Sequence, residues 1–333
     1  MEKHIRESLT DDLLELAGKF YNVKLEELQY HGGFENFIYV FKKDNTEYIL
    51  RLVHSDHRIY QHVIAEIEFI DYLAHHGACV STVVKSVNDK IVEKIKINKT
   101  EYFTVTVFVR GLGDRISESL EKPKFWEDLG EQIGLLHKLT KTFNPKHKRS
   151  IWYDDTLYQL APKVLEDELG ILEKLNQRIE EIKSFEKTED NYGLIHTDLH
   201  IGNMVIDKLG KLTFFDFDDS AYKHFISDLA IVIFYNMSFQ NLSIENKTDK
   251  SIWILNNFFK GYNRNNSLPR EELKHLNDFL KLRELILYTV IKAGGEETVN
   301  SNWGSRFLNI YRDKILNDEP FIDMKKIMAK VDC

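Results

Sequence analysis

The chain has 333 residues, of which 43% are apolar and 29% charged, and a formal net charge of -8. Those values fit a soluble globular protein with a sizeable core, in one large domain or two lobes, and exclude a disordered chain. The acidic balance argues against nucleic acid as a partner, and apolar runs such as Leu229–Tyr235 are too short to span a bilayer, so no membrane partner is expected.

In chain order, residues 1–19 read as helical, with neither an apolar segment nor a small-residue cleavage site, so a cytoplasmic location is expected. Residues 34–41 and 47–53 read as strands joined by a turn at Lys42–Thr46 that contains Asp44-Asn45. A helix is expected over 57–76, ending before Gly77, then strands over 80–86, 91–97 and 102–109, rich in β-branched and aromatic residues. Cys79 and Cys333 have no metal-ligand spacing, and no disulfide is expected between them. The pattern changes at Gly111-Leu112-Gly113. Amphipathic helices follow over 124–140 and 157–184, a β-rich insert over 193–217, and helices over 226–239, 249–262, 270–293 and 303–315. The expected fold class is α+β: a small β-rich lobe (1–110) and a larger, mainly helical lobe (111–333), with ligands favouring the cleft.

The stretch from Gly193 to Asp219 carries most of the chemistry. If Met204–Asp207 and Leu212–Phe215 are strands joined by a four-residue loop, Asp207 pairs with Leu212 and Asn203 falls opposite Asp216. An amide oxygen and a carboxylate at the open end of a hairpin suit Mg²⁺, which takes one or two protein carboxylates together with nucleotide phosphates. Asp198, five residues before Asn203, is then a carboxylate free of the metal, able to orient a hydroxyl and accept its proton.

On the first lobe, alternation puts Ile49, Arg51 and Val53 on one strand face. A helical wheel puts Glu66 inside the apolar stripe Ile59, Val63, Ile67 and Ile70, with Glu68 opposite. A carboxylate in a buried stripe needs a partner, so Glu66 is expected to pair with Arg51 and to leave the guanidinium over nucleotide phosphates. The two glycines of His31-Gly-Gly-Phe-Glu-Asn36 suit a turn whose N–H groups approach phosphate oxygens.

His196-x-Asp198-x-x-x-x-Asn203 followed by Asp216-Phe-Asp218 resembles the catalytic and metal motifs of protein kinases. It is still more similar to the aminoglycoside phosphotransferase and choline kinase superfamily, in which the third metal-motif position is often not glycine. The resemblance implies a bilobal protein-kinase-like fold, ATP or GTP as donor, Asp198 as catalytic base, Asn203 and Asp216 as Mg²⁺ ligands, and His196 as a support of the loop. Asp228 matches the aspartate that braces the catalytic loop from a following helix. Gly33-x-Glu-Asn36-x-x-Tyr resembles the family's first strand turn, making Gly33 and Asn36 phosphate-side candidates, and Leu-Arg51-Leu matches its cation-bearing strand. Val107 and Val109, before Arg110-Gly111, are the candidates for the connector that holds the base.

The resemblance implies a small-molecule hydroxyl compound as acceptor, which could be cationic, and leaves open an aminoglycoside, choline or ethanolamine, homoserine or another metabolite alcohol. Asp218, Asp219, Glu296, Glu297, Trp126 and Trp303 are available to such a cation. Three alternatives stand beside this reading: a metal-dependent hydrolase using His196, Asp198 and His200, a protein serine/threonine kinase, and an inactive nucleotide-binding protein.

Overall fold

The computed structural model describes residues 3–33, 35–114, 116, 118–240 and 242–333. Its elements in chain order are α1 (Lys3–Ser8), α2 (Asp11–Lys19), β1 (Gln29–Gly32), β2 (Phe37–Lys43), β3 (Thr46–His54), α3 (Tyr60–His75), β4 (Val83–Val84), β5 (Glu93–Lys96), β6 (Tyr102–Val109), α4 (Pro123–Thr140), α5 (Thr156–Val164), α6 (Leu169–Lys183), β7 (Tyr192–Ile195), β8 (Met204–Ile206), β9 (Leu212–Phe214), β10 (Ala221–His224), α7 (Ile226–Met237), α8 (Ile244–Tyr262), α9 (Leu276–Ala293), α10 (Gly295–Val299), α11 (Asn302–Leu316) and α12 (Met324–Lys330). Among the described residues, no helix is long and apolar enough to cross a membrane.

The chain divides into two compact units: the described residues up to 114 with 143–149 and 205–218, and the remainder. Two later segments thus join the β-rich first unit, whereas a single boundary near 110 was expected.

In the first unit an antiparallel sheet runs β1-β2-β3-β6-β4, with β5 also on β6. The β2–β3 turn is tight because Asp44 and Asn45 both accept positive φ (49° and 64°), the geometry that matches strand twist in a two-residue hairpin. Phe37, Phe41, Leu50, Leu52, Phe103, Val105 and Val107 form one core with Ile5, Leu14 and Ala17 from the two N-terminal helices. α3 buries Val63, Glu66, Ile67, Ile70 and Leu73, while Ile59 precedes the helix and is 47% exposed, so the apolar stripe is shorter than expected. The strand expected over 80–86 shrinks to two residues. Val80 instead bridges Phe214, and the Ser81 N–H donates to the Phe214 carbonyl, so this backbone pairs with the returning β9.

The β8–β9 turn is one residue tighter than the sequence suggested. The Asp207 N–H donates to the Lys211 carbonyl, the Gly210 N–H to the Asp207 carbonyl, and the Asp207 carboxylate takes the N–H groups of Leu209 and Lys211. Asp207 therefore opposes Lys211, not Leu212, and this register withdraws the hairpin argument for setting Asn203 against Asp216.

In the second unit α4 packs on α8 closely enough that a Cβ added to Gly261 would lie 1.8 Å from the Glu127 carbonyl oxygen. The helix expected over 157–184 is two helices, because Pro162 lacks an N–H and Glu168 leaves helical geometry (φ −132°, ψ 51°). Beyond Pro269 the chain forms a 3₁₀ turn, Arg270–His275, before α9 begins. β7 pairs with β10, Ile195 opposite Ala221 and Gly193 opposite Lys223. This ladder fixes the strand that leads into Asp198.

Candidate active site

The first unit holds a buried cation. Arg51 on β3 and Glu66 on α3 form a bidentate pair with both N–O distances at 2.8 Å, and the two side chains are 3% and 0% exposed. Burial works against the guanidinium charge, but Glu66 outweighs it, with Asp218 and Asp216 adding, so the Arg51 pKa is raised. Among the described residues its buried Nε has no hydrogen-bond partner.

Asp218 is the hub of a second cluster in this unit. His57 Nε2 donates to its Oδ2 at 2.7 Å, Asn36 Nδ2 donates to the same oxygen at 3.3 Å, Arg58 Nε lies 3.7 Å from Oδ1, and Arg149 donates to its backbone carbonyl. Burial would raise this carboxyl; His57, Arg58 and Arg51 reverse that and hold it well below the usual range. Asp218 is therefore engaged by the protein's own cations, which removes it as a group free for a cationic acceptor. Asp216, two residues earlier, sits at φ +63°, a left-handed conformation uncommon for a residue with a side chain and recurrent at functional sites. Gly33 has φ +129°, and a Cβ there would lie 1.8 Å from the Asn36 carbonyl oxygen, so no other residue fits this turn. Asn36 is buried, and among the described residues its Oδ1 has no partner. Val107 is wholly inside the sheet core, and the Val109 N–H is taken by the Thr82 carbonyl at 2.8 Å.

The second unit holds the loop after β7. Thr197 takes φ +63°, which ends the extended alternation that would have put His196, Asp198 and His200 on one face. The strained residue is held from two sides. Its N–H donates to Asp228 Oδ1 (2.9 Å) at the start of α7, and its hydroxyl donates to the Asp219 carbonyl (2.6 Å). Asp228 in turn accepts from His137 Nε2 at 3.2 Å, and the Tyr262 hydroxyl meets His137 Nδ1 at 2.9 Å. All of these side chains are nearly sealed from solvent, so the loop is anchored through α7, α4 and α8.

A 3₁₀ turn, Ile201–Asn203, returns Asn203 to Asp198: Asn203 Nδ2 donates to both the carbonyl and Oδ2 of Asp198 at 3.0 Å. With its nitrogen spent there, Asn203 has its amide oxygen left as a donor, the hard ligand type a divalent cation such as Mg²⁺ takes. Arg283 on α9 donates to Asp198 Oδ1 and, at 2.5 Å, to the Tyr235 hydroxyl, and His200 Nε2 lies 3.4 Å from Asp198 Oδ2. Burial pushes Asp198 up, but Arg283, His200 and His196 outweigh it and hold the carboxyl at about 2.

The hydrolase arrangement is not formed. His196 Nδ1 accepts from the Asp198 N–H at 3.3 Å and His200 Nδ1 from the Gly202 N–H at 2.9 Å, so one nitrogen of each ring is spent on backbone. Among the described residues the donor triplets close enough for a metal are His4/His54/Asp56 and Glu35/His57/Asp218, not these three. Trp126 is core, its Nε1 donating to the Leu120 carbonyl; Glu296 and Glu297 lie in the first turn of the short α10, and Trp303 is 41% exposed. Arg283, Tyr235, His57 and Lys223 were not singled out from the sequence. For Arg283 a signal existed: Lys281, Arg283 and Glu284 interrupt the otherwise apolar stretch Phe279–Tyr288 in the middle of α9.

The model of the phosphotransferase enzyme family matches residues 26–248. The chain is 30% identical over 284 residues to an amicoumacin kinase of Bacillus subtilis (strain 168), covering 84% of each protein. Among solved structures, the amicoumacin kinase hAmiN in complex with AMP-PNP, Ca²⁺ and Ami superposes with a TM-score of 0.90 at 26% identity, over 98% of this chain and 100% of that one. A microcompartment-associated aminopropanol kinase matches at a TM-score of 0.67 and 18% identity, over 95% of this chain and 100% of that one, which speaks to the fold alone.

Proposed function

The chain belongs to the phosphotransferase enzyme family and is a small-molecule kinase of protein-kinase-like fold, and from that premise we propose that it moves the γ-phosphoryl group of ATP or GTP to a small-molecule hydroxyl, with Asp198 as base and Mg²⁺ on Asn203 and Asp216. The observation that carries the reading is the anchored loop, in which Asp228 holds the strained Thr197 and Asn203 holds Asp198. Phosphoryl transfer asks for positioning and charge neutralisation more than for covalent help. The acceptor O–H hydrogen-bonds to the Asp198 carboxylate; as the oxygen bonds to phosphorus and the bond to the nucleotide's β-phosphate oxygen breaks, the proton passes to Asp198. A carboxylate held at about 2 is a weak base, so orientation of the hydroxyl is the larger part of its work and the proton moves late.

Bound Mg²⁺ would neutralise charge on the phosphate oxygens. Arg51, fixed by Glu66, would face the phosphates along with the Gly33 turn and Asn36. The Val107 side chain is taken up by the sheet core and the Val109 N–H by the Thr82 carbonyl, so neither of these groups is open to the base. Amicoumacin is the first acceptor to test, since it names the relative with 30% identity.

The test is nucleotide consumption with Mg²⁺, using ATP and GTP, against amicoumacin, aminoglycosides and amino alcohols. Asp198→Asn should lower kcat by about 10²–10⁴-fold with Mg-nucleotide binding nearly unchanged; full turnover in that variant would sink the assignment of the base.

A further inference from the structure

Two cations of the second unit keep donors that the protein does not use. Arg283 spends one terminal nitrogen on Asp198 and Tyr235, and its Nε is buried without a partner. Lys223 on β10 is 4% exposed, and among the described residues its ammonium has the faces of two aromatic rings but no carboxylate or carbonyl oxygen as a partner. It lies 5.2 Å from the ring centre of Trp152 and 5.9 Å from that of Phe279. Phe279 and Arg283 are four residues apart on α9 and share a face. Tyr158 packs edge-on to Trp152 at 5.6 Å and feels the charges of Arg283 and Asp219. The aromatic groups, both cations and Asp198 thus belong to one neighbourhood of one unit.

Burial and the charge of Arg283 push the Lys223 ammonium down to about 7, with Asp228 and Asp219 opposing them. A merely structural position would be better filled by an apolar side chain, since a buried ammonium held only by aromatic faces keeps N–H donors without an acceptor. An excess of donors beside the base fits a ligand that brings oxygen acceptors.

We propose that Lys223 and Arg283 bind a carboxylate or carbonyl oxygen of the phosphoryl acceptor, with Trp152, Tyr158 and Phe279 lining its apolar part, so that the enzyme favours hydroxy compounds bearing such an oxygen over simple amino alcohols. This rests on the kinase reading above and replaces the cationic acceptor suggested by the acidic residues.

The test uses the full chain with MgATP, by thermal shift and nucleotide consumption. The probes are amicoumacin and a pair differing by one carboxylate, L-serine and ethanolamine. L-serine should stabilise the wild type more than ethanolamine does. Lys223→Met should raise the half-saturating amicoumacin concentration by about tenfold or more, as expected for a lost charge-assisted hydrogen bond; Lys223→Arg should recover part of it. The MgATP shift should be equal in all three proteins, which also reports that the variants fold. Ethanolamine stabilising as well as L-serine, an unchanged half-saturation in Lys223→Met, or no response to any probe would overturn the proposal. A wild type without any MgATP shift would instead overturn the kinase reading.

Discussion

Glu66 is sealed from solvent and has one cationic partner, so its energetic role follows from what its loss would leave behind. Glu66→Gln strands a buried guanidinium, and we expect a loss of about 3–5 kcal/mol in urea unfolding, together with weaker nucleotide binding. Lys223 gives a pH prediction. Its folded-state pKa, about 7, lies below the ordinary 10.5, so between those values the unfolded chain holds the extra proton. Stability from this group therefore rises with pH across that window, and below it the lysine is charged in both states and the cost of burying the charge is at its full, constant value. The urea midpoint measured near pH 7 and pH 9 should rise more in the wild type than in Lys223→Met; equal rises would refute the shift. Both residues also mark what a sequence discloses at this scale. Glu66 was legible because it interrupts a helical stripe. Lys223 was not, because a lysine on a short strand reads the same whether it snorkels or stays inside.

At the level of elements, the catalytic loop depends on a helix more than on its own strands. Asp228→Asn keeps the shape of the α7 start but removes the charge that receives the Thr197 N–H and the His137 ring. We expect kcat to fall by about tenfold or more, as for loss of a charge-assisted hydrogen bond, with nucleotide affinity little changed; a matching rise in the nucleotide KM would contradict a loop-positioning role. The α4–α8 contact gives a stability prediction away from the site. Gly261→Ala should lower the thermal midpoint, at a cost of about 1–3 kcal/mol or more from overpacking against the Glu127 backbone. β6 and α4 were readable almost to the residue because their periodicity runs unbroken to a glycine or proline boundary. The β8–β9 register was not, because turn tightness depends on how Asp207 caps its own loop, and the 157–184 helix was read through Pro162, which the sequence does show, and through Glu168, which carries no breaker signal.

For the whole molecule, a ligand that binds only the native state adds stability by mass action. MgATP at about 100 times its Kd should add about 2.7 kcal/mol, and ATP with chelator should add less; equal shifts would argue against the metal assigned to Asn203 and Asp216. The α+β class and the motif-bearing segment were legible because they are local in sequence. The return of residues 143–149 and 205–218 to the first unit was not, since nothing in those stretches names the partners they pair with. That return has a consequence for synthesis. Val80 and Ser81 leave the ribosome long before Phe214, the residue whose backbone they pair with. At roughly 5–20 residues per second the nascent first unit waits roughly 5–20 s for the hairpin that completes it. During that interval this stretch of backbone is open to chaperones and to other nascent chains, so stalling translation between 114 and 218 should expose it most.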